Sequence, residues 1–233
     1  AYALDHSFKK EFIIEEFLEK VGCSSDTDSF SVNGELRFVS FNAQHFDAEA
    51  MNPYTPAAYS WPSTMSAEHE EELTKELQRL IKLLNLQSSI YNIETRECTD
   101  GKAYIMECTP RGGGNRLAEM LKYATGVDLI KAAVLAAAGE PVTEIEQRPY
   151  DGHWAEVVLH SNKKGIFKEL WISQEIQKNI VETDLWVEPG ESIEGFGAAN
   201  DALGMLVLRF ESEKEMKQMV RHVGEYVEVR LEE

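Results

Sequence analysis

An α+β fold built on antiparallel sheet is what this sequence predicts, from three observations. Asn33-Gly34 and Asp100-Gly101 each stand between short strand-like runs, the pairing expected of tight hairpin turns. Between these hairpins Ser66 caps an amphipathic helix, in which Leu73, Leu77, Leu80, Ile81 and Leu84 make one apolar stripe. Around residue 146 the chain changes character. Gln147-Arg148-Pro149-Tyr150-Asp151-Gly152 reads as a linker, and further strand-like runs and one helix follow it. The expected organisation is a larger unit over residues 13–146 and a small α+β domain over 147–233, with residues 1–12 belonging to a preceding element.

Composition narrows the function classes. A hydrophobic content of 43% supports a real core, and a net charge of −18 argues against nucleic acid or an anionic membrane surface as partner. Cys23, Cys98 and Cys108 are odd in number and unevenly spaced, which fits neither a disulfide framework nor a zinc pattern. No apolar run approaches membrane-spanning length and no signal-peptide pattern opens the sequence, so a cytoplasmic protein is expected.

In chain order, residues 1–11 read as the end of a helix and Phe12-Ile13-Ile14-Glu15-Glu16-Phe17-Leu18-Glu19 as a mostly apolar strand. Gly22 opens a polar stretch in which Asp26 and Asp28 read as exposed turn residues, before the strand pair turned at Asn33-Gly34. Residues 42–65 carry three prolines, large aromatics and no period, and read as a long functional loop in which Tyr54, Tyr59 and Trp61 seek burial. His45 in that loop reads as a satisfied histidine rather than a catalytic one. The Ser66 helix runs to about Leu84 with acids crowding its first turns. Past the second hairpin, helices are expected over Leu117–Ala124, ended by Gly126, and over Leu129–Ala138, capped by Asp128 and ended by Gly139. The last part predicts strands at Trp154–His160, Leu185–Val187, Met205–Phe210 and Tyr226–Leu231, and a helix from the Ser212 capping box to Gly224.

The chemistry concentrates in residues 87–117. Glu94 lies on the first strand of the second hairpin and Glu107 on its return strand. Two carboxylates meeting across a hairpin repel each other unless a cation sits between them. With no His or Cys to complete a tetrahedral set, oxygen ligands suit magnesium bridging phosphates, with manganese as an alternative ion. Pro110-Arg111-Gly112-Gly113-Gly114 follows: Arg111 stands four residues past Glu107, and the glycines allow backbone to approach a ligand closely. On spacing alone, an exposed charged hairpin followed by a flexible loop accounts for the same residues equally well.

Tyr104-Ile-Met-Glu-Cys-Thr-Pro-Arg-Gly-Gly-Gly114 resembles the signature of the ATP-grasp ligases, a strand followed by Glu-x-Asn-Pro-Arg and glycines. The likeness is nearest to the L-amino-acid ligase type and extends in order over most of the chain. It implies that Glu94 and Glu107 hold magnesium, that Thr109 stands in the place of the usual Asn ligand, and that Arg111 contacts the transferring phosphate. The run from Phe12 resembles the hinge strand of that family. On that likeness Glu15 faces the nucleotide, and backbone groups of Glu16 and Leu18 pair with adenine. Asp26 and Asp28 are the acids nearest the family's ribose position, after Ser24 and Ser25.

The implied fold is the larger, metal-binding subdomain of an ATP-grasp enzyme, antiparallel sheet with helices, followed by the small C-terminal domain. The implied activity is ATP-dependent joining of a small-molecule carboxylate to an amine through an acyl phosphate, and a homodimer is compatible with it. A subdomain supplying phosphate-binding lysines and a glycine flap is expected upstream, which makes this chain the C-terminal portion of a larger enzyme. Two other readings stand beside it: a carbamoyl-phosphate-synthetase-like enzyme acting on bicarbonate, and a non-catalytic remnant used for oligomerisation.

Overall fold

The computed structural model describes residues 2–232. After a one-turn helix α1 (Tyr2–His6) the chain crosses a segment without regular structure and enters β1 (Ser25–Val32) and β2 (Glu35–Phe38). Then come β3 (Ala43–Phe46), β4 (Pro56–Trp61), α2 (Ala67–Leu83), β5 (Ser89–Glu97) and β6 (Ala103–Thr109), followed by α3 (Leu117–Thr125) and α4 (Leu129–Ala138). The remainder holds β7 (His153–Leu159), β8 (Gly165–Ile172), β9 (Ile180–Leu185), β10 (Ser192–Ile193), β11 (Gly204–Phe210), α5 (Glu213–Arg221), α6 (Val223–Tyr226) and β12 (Val227–Leu231). Two short 3₁₀ turns, Gln174–Asn179 and Ala199–Asp201, lie between these strands.

Every named strand pair is antiparallel, in three sheets of order β2-β1-β5-β6, β3-β4-β7-β11-β9 and β10-β8-β12. The first sheet is made by the two hairpins foreseen in the sequence. Asn33 and Gly34 take φ of 51° and 79°, the left-handed pair that a tight hairpin demands, and Gly101 takes φ 79° in the other turn. α2 lies on one face of this sheet: Leu77 and Ile81 pack with Tyr91 and Ile93. Leu73, Leu77 and Ile81 are all but fully buried, each worth roughly 1.5–3 kcal/mol. Ser66 caps the helix by accepting from the His69 amide. The apolar stripe is shorter than expected, since Leu84 lies past the last helical residue and is exposed.

Three expectations change. Residues 42–65 are not one long loop, because β3 and β4 lie inside them and form one side of the five-stranded sheet. Their prolines sit at or outside strand ends, where no ladder hydrogen bond is lost. Tyr59 and Trp61 are buried as aromatics prefer, whereas Tyr54 is 85% exposed. Second, the five-stranded sheet crosses the expected boundary at residue 147, since β4 pairs with β7 from Ala58↔Val157 to Trp61↔Trp154. The largest core joins Phe30, Tyr59, Trp61 and Leu121 with Trp154, Val158 and Met205 across the expected boundary, while smaller clusters around Tyr91 and around Phe167 lie on either side of it. Third, the run Phe12–Glu19 pairs with no strand among the described residues. Ile13, Ile14 and Phe17 are each more than 80% exposed. Apolar composition favours a strand, but a strand also needs a neighbour for its backbone groups.

Smaller differences lie near the C-terminus. β9 starts and ends earlier than Leu185–Val187, and β8 was not foreseen because it buries Phe167 among largely exposed neighbours. The Ser212 helix breaks at His222, and α6 then runs through Gly224.

Candidate functional site

The four-stranded sheet has α2 on one face and presents its polar residues on the other. Strand alternation puts Asp26 and Asp28 of β1, Asn92 and Glu94 of β5, and Glu107 and Thr109 of β6 on that face. The register aligns them in two rows: Asp26 opposite Glu94 opposite Glu107, and Asp28 opposite Asn92 opposite Thr109. The pairing of Glu94 with Glu107, expected from the hairpin, is therefore direct, and it gains a third carboxylate from β1. Asp26 and Asp28 are strand residues rather than turn residues, and Asp28 is fully buried.

The electrostatics show the crowding. Burial first, opposed by an Asn92 hydrogen bond and Arg111 and reinforced by Glu107, holds the Asp26 carboxyl above its ordinary range. Burial first, then the charges of Asp26 and Glu107, raises Glu94 against the partial relief of Arg96. Burial raises Asp28 to about 6 despite hydrogen bonds from the Gly113 amide and Asn92. Asp28 Oδ2 is buried without a partner. Each of these perturbations would be relieved by positive charge on the row. Among the described residues no three His, Cys, Asp or Glu side chains close into a ready-made metal cage. The oxygen-only donor set and the orphaned Asp28 oxygen nonetheless fit a hard divalent cation.

The glycine loop folds back over this face. Gly113 N donates to Asp28 Oδ1 at 2.8 Å. A Cβ on Gly113 would stand 2.7 Å from Asn92 Nδ2 and from Leu117 Cδ1, so close approach, not backbone angle, is what favours glycine there: a side chain would push those two side-chain ends aside. Arg111 is exposed, and its NH1 donates to Gly112 O at 2.8 Å; its charge acts on both Asp26 and Asp28. Thr109 Oγ1 donates to Glu107 Oε1 at 2.7 Å, which ties the hydroxyl to the exposed carboxylate at the end of the first row. Glu15 and Glu16 are exposed, with the charge of Glu16 acting on Tyr104 of β6; the Leu18 carbonyl accepts from Arg96 Nη1 at 3.2 Å. His45 is bonded to Ser60 Oγ at 3.0 Å, and burial first, then Lys20 and Arg221, lowers it to about 4. It is a satisfied, neutral histidine.

A second set of polar residues was not legible in the sequence. Across the five-stranded sheet, on the face toward the loop, Gln44 pairs with Tyr59 and Tyr59 with Glu156; Glu156 then pairs with Val207, and Val207 with Glu182. Asn115 and Arg116, both at positive φ, stand above this row. Asn115 Nδ2 donates to Tyr59 Oη at 3.0 Å. Arg116 donates to Glu119, to Glu182 Oε2 at 3.2 Å and to Asp184 Oδ2 at 3.0 Å. The loop is thus pinned to both sheets, at Asp28 on one and at Tyr59, Glu182 and Asp184 on the other. Left-handed backbone at two consecutive non-glycine residues was the available sequence-independent signal, and side-chain identity does not reveal it.

An antiparallel sheet carrying opposed carboxylates is crossed by a strand-to-glycine loop and packed on a second sheet, and solved ligase and synthetase structures share this fold. The L-amino acid ligase of Bacillus licheniformis superposes with a TM-score of 0.77 at 17% identity, over 93% of this chain and 53% of that one. The phosphoribosylglycinamide synthetase of Anaerococcus prevotii gives 0.72 at 21% identity, over 98% and 58%. The biotin carboxylase domain of Hydrogenobacter thermophilus 2-oxoglutarate carboxylase, solved in complex with MgADP and bicarbonate, gives 0.66 at 14% identity, over 89% and 46%. No protein-family model matches the chain. Among curated proteins, carnosine synthase 1 of Homo sapiens is 29% identical over 129 residues, covering 54% of this chain and 15% of that protein. Carnosine synthase 1 of Gallus gallus is 30% identical over 88 residues, covering 38% of this chain and 9% of that protein. The chain therefore spans about half the length of these solved relatives and a small fraction of the curated ones.

Proposed function

We propose that this chain is the metal- and phosphate-binding part of an ATP-dependent carboxylate–amine ligase. The observation that carries the reading is the aligned row Asp26–Glu94–Glu107 beneath a loop that holds Arg111. Glu94, Glu107 and Thr109 would hold magnesium, or manganese, and the ion would supply charge neutralisation on the phosphates of ATP. Arg111, four residues past Glu107, would lie against the transferring phosphoryl group and offset its charge. Glu15, Glu16 and Leu18 would line the nucleotide side, and Asp26 and Asp28 the base of the phosphate site. Asp28 would act mainly by fixing Gly113, and with it the loop.

In this reading a carboxylate attacks the γ-phosphorus, giving an acyl phosphate and ADP, and an amine then displaces phosphate at the acyl carbon. The chain's own groups position and neutralise; none of them is asked to form a covalent bond. The L-amino acid ligase and carnosine synthase likenesses support amide formation over bicarbonate chemistry. The substrates are small molecules, and a homodimer and a cytoplasmic setting remain part of the proposal. No helix among the described residues is long and apolar enough to cross a membrane.

Isothermal titration tests the site. The 233-residue chain leaves the Ile13–Phe17 edge open, so one side of a bound nucleotide would face water, where charge pairing is screened. MgADP is expected to bind at about millimolar Kd or weaker, with no measurable hydrolysis of ATP. Binding that is unchanged by Glu107→Gln and Arg111→Ala together would remove the site assignment.

A further inference from the structure

The five-stranded sheet has a second face, turned away from the glycine loop. Ala58, Val157 and Leu159 lie on it, opposite in alternation to Tyr59 and Glu156. α5 and β12 cover part of this face, and beside them lies a cleft of about 1080 Å³. Its walls come from β3, the loop after β7, β8, the end of α5, and β12. That volume lies just above the usual range for small-molecule sites, about 300–1,000 Å³. The face is separate from the carboxylate row, and nothing in the ligase reading uses it.

Charge distinguishes this cleft. In a chain of net charge −18, Lys163, Lys168 and Arg221 all line it, and none has an acidic partner within 4.0 Å among the described residues. Two of the three acids lining the cleft are engaged: Asp47 is bonded to His160 Nε2, to Asn162 Nδ2 at 2.7 Å and to the Glu49 amide, and Glu228 pairs with Arg230; the third, Glu49, is exposed on the loop after β3. Lys20, stacked 4.8 Å over Phe46, adds positive charge at the same end. Half-buried Phe46, Val223, Val229 and Leu231 supply apolar wall between the cations.

Unpaired cations around a partly apolar cavity complement one ligand chemistry, an anionic head on an apolar body. We propose that this cleft binds an organic anion, with a carboxylate or phosphate head held by Arg221, Lys163 and Lys168 and its apolar part against Phe46 and Val229. The inference stands independently of the ligase reading.

Titration calorimetry on the 233-residue chain tests it with octanoate, octyl phosphate, 1-octanol and inorganic phosphate as probes. Saturable one-to-one binding of octanoate, octyl phosphate or both is expected, and the tighter of the two identifies the head group. Octanol and inorganic phosphate are each expected to bind about tenfold more weakly or worse. Arg221→Glu with Lys168→Glu should weaken the anion about tenfold or more, and high salt should weaken it too. Phe17→Ser, in the exposed segment that could take up alkyl chains unspecifically, should change nothing. If the double reversal does not fold, Lys163→Gln with Lys168→Gln serves in its place. Octanol binding as tightly as octanoate, anion binding indifferent to the substitutions, loss of binding in Phe17→Ser, or no saturable binding of either anion would each overturn the proposal.

Discussion

The protein holds two kinds of perturbed carboxylate, and they differ in what surrounds them. Asp26 and Glu94 belong to a row that ends at exposed Glu107, with Arg111 nearby and a glycine loop above. Glu156 sits fully buried in the middle of the five-stranded sheet, and neither of its oxygens has a partner. Burial is the leading cause of the raised pKa in both places. In the row, neighbouring carboxylates add to it; at Glu156, Glu119 and Glu182 add to it and Arg116 opposes it. A shifted carboxylate marks a candidate site only when a ligand can reach it. The row is open at one end. Glu156 is sealed in the floor beneath the loop, its carboxyl held by burial well above the ordinary range.

The largest expected effect breaks the open side. On the ligase proposal, Glu107→Gln should reduce ATP turnover by about 100-fold or more in an active protein that includes these residues, while leaving folding nearly intact. A steady-state assay beside a thermal melt checks both halves, and normal turnover would end the metal assignment.

Gly113→Ala tests how the loop is seated on the row. The new methyl would meet Asn92 and Leu117 at 2.7 Å and Asp28 Oδ1 at 3.0 Å. A loss of about 1–3 kcal/mol in denaturant unfolding is expected, with weaker MgADP binding. Unchanged stability would mean that the loop is free to lift from Asp28.

His45 gives a pH-dependent test. Its folded pKa of about 4 lies below the unfolded value of 6.5, so the unfolded chain binds more protons between those values. Its contribution to stability therefore falls as pH drops from 6.5 toward 4, by on the order of 2 kcal/mol. Unfolding curves for wild type and His45→Gln should converge at the acid end of that window. Parallel curves would contradict a neutral His45.

The smallest expected effect sharpens the sealed side. Burial raises Glu156 well above the ordinary carboxylate range, so the folded chain keeps this proton to higher pH than the unfolded chain does. That difference costs stability above the unfolded pKa and vanishes below it. Glu156→Gln should be more stable than wild type at pH 7 by about 1 kcal/mol or more, with the gap closing near pH 4. A destabilised variant at pH 7 would show that Glu156 is ionised and paired.

Local signals were the legible part of the site. Asp100-Gly101 and the runs around it determined that β5 and β6 would pair, but the turn register alone runs Glu97↔Ala103 to Thr95↔Ile105 and would set Glu94 opposite Met106; a bulge between Glu94 and Thr95 brings Glu94 opposite Glu107. Arg111 and the glycines could be read as a ligand-facing loop from residue type alone. Asp26 was misread as a turn residue because its place in the row depends on β1 pairing with β5, more than 60 residues away in sequence. Glu156 gave no signal at all. A single Glu in His-Trp-Ala-Glu-Val-Val-Leu fits the outward position of a half-exposed strand, and only the packing of α3 and the loop on that face makes it buried.

By itself the sequence determined the two hairpins, the side-chain caps at Ser66, Asp128 and Ser212, and the glycine stops at Gly126 and Gly139. These rest on turn conformation, capping and short-range periodicity, which act over a few residues. Only the tertiary structure decided which strands share a sheet across residue 147, whether Phe12–Glu19 finds a neighbour, and which carboxylates are open or sealed. Those outcomes depend on what packs against each face, and a strand's own residues specify its alternation but not the surface that covers it.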